Sequence, residues 1–166
     1  MIDFTLNGQA RGLDLSAHYP LLDALRHHLG LHSPRLGCGL EQCGACHVLV
    51  DGVSVPTCAS SVDRIAGKAV TTLECTHTPP PTDDARWPRI LGALQDAFVQ
   101  EEAAQCGYCT NGIMMTVAGL LGQSPRPDRA HIIAHLDERH LCRCGVHVRV
   151  LKAIDRLLAQ PQGVQA

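Results

Sequence analysis

Nine cysteines in 166 residues, clustered rather than scattered, limit what this chain can fold into more than any other feature. The first group lies in Gly37-Cys38-Gly39-Leu40-Glu41-Gln42-Cys43-Gly44-Ala45-Cys46, with Cys58 following after eleven intervening residues. C-x4-C-x2-C with a fourth cysteine downstream is the spacing of plant-type [2Fe–2S] ligation. Each iron of such a rhomb is tetrahedral and takes two terminal thiolates. Cys38, Cys43, Cys46 and Cys58 therefore have to converge from a loop wrapped around one side of the cluster. So tight a loop needs backbone freedom, which Gly37, Gly39 and Gly44 supply because glycine tolerates positive φ. Small residues also let amide N–H groups approach the sulfurs, a contact that helps set the reduction potential. Zinc more often sits between two C-x2-C knuckles and this segment has one, so zinc and unligated core cysteines are the competing readings.

The elements around this loop follow from local patterns. Ile2, Phe4 and Leu6 alternate with polar residues, Asn7-Gly8 is a strong hairpin signal, and a return strand runs through Leu13 and Leu15. Pro20 can sit in the first turn of a helix; Leu21, Leu22, Leu25 and Leu29 recur at helical spacing, and Gly30 can end it. His47–Val50, Asp51-Gly52 and Val53–Val55 form a second hairpin that carries Cys58 back towards the loop. Lys68 to Leu73 reads as a last strand. Together these make a small α+β domain over residues 1–75, marginal in core size and helped by cluster ligation.

Residues 76–84 contain Pro79-Pro80-Pro81 without periodicity, an extended connector at a domain boundary. Residues 85–166 then read as helices. Ile90, Leu91, Leu94, Ala97 and Phe98 form one apolar face, and Ile113 to Leu121 a short, mostly apolar helix. Asp128 can cap a third helix with Ile132, Ile133 and Leu136 inward; a fourth, from about Val148 to Leu158, places Val148, Leu151, Ile154 and Leu158 on one stripe. Four such helices with short links argue for a bundle. Cys106-Gly107-Tyr108-Cys109 and Cys142-Arg143-Cys144 fall on two of its helix connections, which can meet at one end. Four thiolates suffice there for another [2Fe–2S] centre, with zinc a competitor when this set is taken alone.

An odd cysteine count fits a disulfide framework poorly, and Met1-Ile2-Asp3-Phe4-Thr5-Leu6 lacks the regions of a signal peptide, so the bare chain is expected in the cytoplasm. Two sets of four leave Cys75. Its neighbours Thr76 and His77 make Cys-x-His ligation conceivable, but a buried idle thiol is the plainer reading. A net charge of −2 and only five aromatics point away from nucleic acid, and no apolar run reaches the ~18 residues of a membrane span.

Combined, CGLEQCGAC…C and QCGYC…LCRCG resemble the iron–sulfur subunit of the molybdenum hydroxylases, the xanthine dehydrogenase and aldehyde oxidoreductase family, over residues 2 to 156. The resemblance implies an N-terminal β-grasp, plant-ferredoxin-like domain and a C-terminal four-helix bundle, each with one [2Fe–2S] cluster. It implies a separate large subunit that holds molybdenum through a pterin cofactor and hydroxylates an aldehyde or N-heterocycle. Electrons then pass to the bundle cluster, next to the ferredoxin-like cluster, and out to an acceptor such as a cytochrome c or flavin subunit. By the same resemblance Gln105 hydrogen-bonds the pterin and Cys144 is the ligand closest to it. A free-standing small chain ending in Cys144-Gly145-Val146-His147-Val148-Arg149 is similar to the bacterial isoquinoline and nicotinate dehydrogenase branch, while some bacterial aldehyde dehydrogenases use the same kind of subunit with a cytochrome c. A partner with an export signal can carry the folded complex across a membrane.

Four positions depart from the family pattern. Glu41 stands where glycine is general and adds negative charge that lowers the cluster potential. Asn111 replaces a common proline at a helix start, where asparagine caps well. Arg139 and His140 replace the frequent glycine and asparagine before Leu141-Cys142. Among the remaining residues, His131 and His135 share a helical face without the glutamate of a metalloprotease motif, and His18, His27 and His28 read as solvent-facing. His147 is a remote substitute ligand because eight cysteines already fill two sites. Arg143 reads as a partner of the cluster charge, a contact to another subunit, or a plain surface arginine. No Ser–His–Asp arrangement or phosphate-binding loop is recognisable, so the chain is expected to carry electrons for a site elsewhere. A free ferredoxin-like carrier and a zinc-stabilised interaction module are the alternatives.

Overall fold

The computed structural model describes residues 1–77 and 85–159. β1 (Ile2–Leu6) and β2 (Gln9–Leu13) form a hairpin across Asn7-Gly8, and β3 (Val48–Val50) and β4 (Val53–Val55) form another across Asp51-Gly52. All four turn residues take positive φ (50° and 81°, 50° and 80°), the backbone such two-residue turns demand. β5 (Ala69–Thr71) runs parallel to β1 and antiparallel to β3, giving one mixed sheet in the order β2-β1-β5-β3-β4.

Against one face lies α1 (Leu21–Asp23), extended by a wider π turn over Ala24–His28; Leu21, Ala24 and Leu25 are buried with Phe4, Leu6, Val48, Val50 and Val70. Pro20 is the N-cap rather than a first-turn residue, and Gly30 (φ 68°) turns the chain away beyond the helix. The last strand ends at Thr71, two residues earlier than expected, because Leu73–Thr76 winds into a 3-10 turn. That turn places Cys75 among the helices and aims Glu74 back at the chain before the cysteine loop, where its carboxylate accepts the N–H of His32 (2.9 Å), the N–H of Ser33 (2.8 Å) and the Ser33 hydroxyl (2.6 Å).

The helical part comprises α2 (Arg86–Gln100), α3 (Thr110–Leu121), α4 (Arg129–Arg139) and α5 (His147–Leu158). The apolar face expected of α2 is buried residue for residue, and Asp128 caps α4 by accepting the His131 N–H at 2.8 Å. The expected stripe on α5 is out of phase. Val150, Ala153, Ile154 and Leu157 are buried, whereas Val148 is 67% exposed. The helix packs along α2 with Val146, just outside its first turn, already buried, and this rotates Val148 to solvent.

α3 is buried from Asn111 to Leu121 because it packs on α2 and α4 and also on β3 and β4. A helix apolar all round is a helix covered all round. Side chains alternate along β3, so Val48 and Val50 enter the sheet's own core while Leu49 enters the helical one. Gly119 permits the contact: a Cβ there would meet Leu49 Cδ2 at 3.0 Å and Gly52 O at 3.3 Å. The expected connector, residues 76–84, lies outside the described residues from 78 onwards, as do residues 160–166.

Candidate iron–sulfur sites

The first cysteine loop carries neither helix nor strand and is shaped by left-handed backbone at Gly39 (φ 70°), Glu41 (58°) and Gly44 (75°). The glycine-like conformation at Glu41 explains why glycine suits that position. These turns aim amides at sulfur. The N–H groups of Leu40 and Gln42 each donate to Cys38 Sγ at 3.3 Å, and the N–H of Cys38 donates to Cys43 Sγ at 3.3 Å. Gly37 has no room for a side chain, since a Cβ would overlap Cys43 Sγ. Cys46 is buried, its sulfur accepts the Thr57 N–H at 3.4 Å, and the Thr57 hydroxyl donates to its carbonyl at 2.8 Å. The β3–β4 hairpin thus returns Cys58 to Cys46. The four thiols meet in pairs, Cys38 with Cys43 and Cys46 with Cys58. Burial opposes ionisation of Cys38, but the N–H groups of Leu40, Gln42 and Cys43 outweigh it and bring the thiol down to about 7. Burial pushes Cys58 up to about 11, with the neighbouring Cys46 and Cys38 sulfurs adding to the rise and the Glu41 N–H opposing it.

Cys106 and Cys109 lie between α2 and α3, with Cys109 at the N-cap of α3, and Cys142 and Cys144 lie between α4 and α5. Gly107 (φ 72°) and Gly145 (φ 74°) bend the two connections. Again the thiols pair, Cys106 with Cys144 and Cys109 with Cys142. The Tyr108 N–H holds the Cys106 thiol below its usual range. Burial works against the Cys142 thiolate, yet the N–H groups of Val146, Cys144 and Gly145 lower it. Burial pushes Cys109 up to about 12.

Each set therefore mixes thiols that ionise readily with thiols that do so only when metal displaces the proton. A tetrahedral zinc draws all four sulfurs to about 2.3 Å of one centre, whereas two thiol pairs with amide donors suit a two-iron rhomb taking one pair per iron. The donor sets fit [2Fe–2S] clusters.

The two sites adjoin. The Arg35 guanidinium donates to Gly107 O at 2.6 Å and lies 5.5 Å from the Tyr108 ring centroid, while the Tyr108 hydroxyl donates to Leu36 O at 2.5 Å. The Leu141 N–H donates to Cys43 O at 3.2 Å, so one hydrogen bond links the peptide beside Cys142 to a cysteine of the other set. Nothing in the sequence announces these partners, since Arg35 and Gly107 are 72 residues apart. Each set also reaches the surface, the first at Cys38 and Leu40 (68% exposed), the second at Cys106 and Cys144 with the exposed Gln105.

The remaining sequence expectations resolve simply. Cys75 is buried in the helical core, and burial pushes it up to about 12. His147 and Arg143 are exposed. His131 and His135 stack at 4.5 Å on the exposed side of α4. Asn111 does not cap; buried inside α3, it donates through Nδ2 to His47 O at 3.3 Å, because Cys109 already occupies the cap.

Comparison with known proteins agrees with this geometry. The profile of the 2Fe-2S iron-sulfur cluster binding domain matches residues 4–80, and that of a second [2Fe-2S] binding domain matches residues 75–155. One chain of the nicotinate dehydrogenase of Pseudomonas putida is 40% identical over 158 residues, covering 93% of this chain and 92% of the relative. The alpha chain of isoquinoline 1-oxidoreductase from Brevundimonas diminuta is 38% identical over 157 residues, covering 94% and 96%. Among solved structures, quinoline 2-oxidoreductase from Pseudomonas putida superposes with a TM-score of 0.77 at 31% identity, over 92% of this chain and 88% of that one. Aldehyde oxidoreductase from Desulfovibrio gigas superposes at 0.79 and 32% identity, over 97% of this chain but 18% of that longer one.

Proposed function

The chain belongs to the [2Fe–2S] iron–sulfur subunits of the molybdenum hydroxylases, and on that premise we propose a route, a ligand set and a substrate class for it. It is the electron-transfer subunit of an oxidoreductase complex and carries two [2Fe–2S] clusters; the molybdopterin belongs to the large subunit. When bound, each cluster supplies a reversible one-electron carrier.

In our reading Cys38, Cys43, Cys46 and Cys58 hold the ferredoxin-type cluster, and Cys106, Cys109, Cys142 and Cys144 hold the bundle cluster. The pairing of thiols within each set supports this assignment. Gln105 and Cys144 face the pterin of the large subunit: both are exposed, and Cys144 touches Cys106, the residue after Gln105. Arg35, Tyr108 and the Leu141–Cys43 hydrogen bond hold the two loops together. The exposed Cys38–Leu40 face is left for the outgoing electron and for a cytochrome c or flavin acceptor. Relatives named for nicotinate and isoquinoline, and a neighbouring structure named for quinoline, favour an aromatic N-heterocycle as substrate of the large subunit over an aldehyde. Residues 76–84 remain our proposed linker between residues 1–75 and 85–166.

The observation that carries this reading is the pair of four-thiol sets, one hydrogen bond apart. Its test is the complex purified through a tag on this chain. It should contain a molybdopterin subunit, iron and acid-labile sulfide each approaching about four per chain, and two distinguishable rhombic signals when reduced. Zinc in place of iron, one signal, or a monomer without partners would overturn it.

A further inference from the structure

A buried group of polar side chains, none of them a thiol, ties the two cysteine loops to each other. His47 follows Cys46; its Nδ1 lies 2.8 Å from Ser54 Oγ on β4 and 3.1 Å from Thr116 Oγ1 on α3. The two hydroxyls are 2.8 Å apart, and His140, two residues before Cys142, brings Nε2 to 2.9 Å from Thr116 Oγ1. His47 and His140 are 4% and 6% exposed, and their rings meet edge-on with centroids 5.1 Å apart. The His140 ring also presses on the first loop: a Cβ on Gly44 would overlap its Nδ1 and Cε1.

The arrangement is costly as plain core. His47 Nε2, His140 Nδ1 and Asn111 Oδ1 are buried without a hydrogen-bond partner, and each such group carries a desolvation penalty that an apolar side chain avoids. What directional bonds provide instead is a single geometry. Here they run from the end of one loop, through a strand and a helix, to the start of the other. Between those ends sits the Leu141 N–H on Cys43 O at 3.2 Å, made by the residue that follows His140.

We propose that His140 and His47, joined through Thr116 and Ser54, are positioning residues that hold the two cluster loops at one fixed separation and so set the rate of cluster-to-cluster electron transfer. This rests on the two-cluster reading above. In that step one electron leaves the bundle cluster, where a ferrous iron becomes ferric, and enters the ferredoxin-type cluster, where a ferric iron becomes ferrous; no proton moves.

The test uses the purified complex with Thr116→Val, which keeps the branched shape and removes the hydroxyl, His140→Ala, and His140→Gln, whose amide nitrogen can still reach Thr116. Iron and sulfide per chain, both reduction potentials, the magnetic interaction between the reduced clusters, and their rate of electron equilibration are compared. Thr116→Val and His140→Ala should retain both clusters, show a weakened magnetic splitting, and equilibrate several-fold more slowly than the parent. His140→Gln should recover most of the loss. If His140→Ala fails to load, Thr116→Val decides. A loaded Thr116→Val complex with parental splitting and rate overturns the positioning role alone, whereas a parent complex with fewer than two clusters overturns the reading beneath it.

Discussion

Gly112→Ala places a methyl group where α3 meets the backbone of the first cysteine loop. Gly112 lies in the first turn of α3, and a Cβ built on it overlaps the Gly44 carbonyl oxygen, with the carbonyl carbon at 2.7 Å and Ala45 Cα at 3.3 Å. All three atoms are backbone, so no rotamer change gives way. Overpacking of a tight contact costs about 1–3 kcal/mol. Because only backbone can give way, the upper part of that range applies, about 2–3 kcal/mol; alanine returns about 1 kcal/mol of helix propensity, leaving a net loss of about 1–2 kcal/mol. At about 2–4 °C per kcal/mol in a chain of this size, the complex should melt about 2–8 °C lower. Gly92, within α2, has nothing within 4 Å of its would-be Cβ, so Gly92→Ala should gain about 0.5–1 kcal/mol. Both variants are compared with the parent complex by melting and by the half-life of the visible cluster absorbance at a fixed temperature. Opposite signs for two chemically identical changes are expected, with faster bleaching in Gly112→Ala. If Gly112→Ala, fully loaded with iron, melts at or above the parent, the close approach of α3 to the loop is refuted.

Glu41→Gly should stabilise the loop by about 1 kcal/mol, by relieving a left-handed non-glycine residue, and should raise the potential of the ferredoxin-type cluster by removing a negative charge; an unchanged or lower potential in a redox titration contradicts this. Glu74→Gln should cost about 1–2 kcal/mol at neutral pH, read as faster hydrogen exchange over residues 31–36. Burial opposes the charged Glu74, but the Ser33 hydroxyl, Thr72 and the Ser33 N–H outweigh it and hold the carboxyl below its usual range. Its stabilisation is therefore complete above the ordinary carboxylate pKa and is lost as the pH falls, so parent and variant should converge in acid, and a gap that persists there counts against the argument. Cys75→Ala should leave iron at about four per chain, whereas Cys58→Ala should lose about two; loss of iron from Cys75→Ala would make that thiol a ligand.

The ligand clusters were legible because each is local, C-x4-C-x2-C, C-x2-C and C-x-C falling within a few residues, and both hairpins announce themselves by Asn7-Gly8 and Asp51-Gly52. Helix existence was legible for the same reason, through periodicity along α2. Helix rotation was less so. On α5 the sequence allows two overlapping stripes, and only the position of α2 and the burial of Val146 select the one without Val148. Asn111 misled because cap preference is a property of one position, and the cap had shifted to Cys109. The parallel pairing of β1 with β5 and the packing of α3 on β3 bring together segments far apart in the chain, where periodicity carries no information about the partner. His47 and Thr116 each look ordinary in their own element; only the contact between elements makes them a pair.

That contact also explains why the two small units pack against each other here. A relay needs its carriers close to each other yet each reachable from outside on one side. Burial of the thiols follows this requirement: Cys46 and Cys109 are buried, while Cys38 in one set and Cys106 and Cys144 in the other are exposed. A flexible tether between independent domains would let the separation drift and weaken any fixed path between the loops. Packing α3 on the sheet removes that freedom, because Leu49, Gly112 and Gly119 admit only one depth of approach. The rigidity is obtained from backbone-to-backbone contact instead of from long side chains, whose conformational freedom would have to be surrendered on folding. A single substitution at the helix–loop contact should therefore disturb the spacing of the two sites before it disturbs either set of thiols.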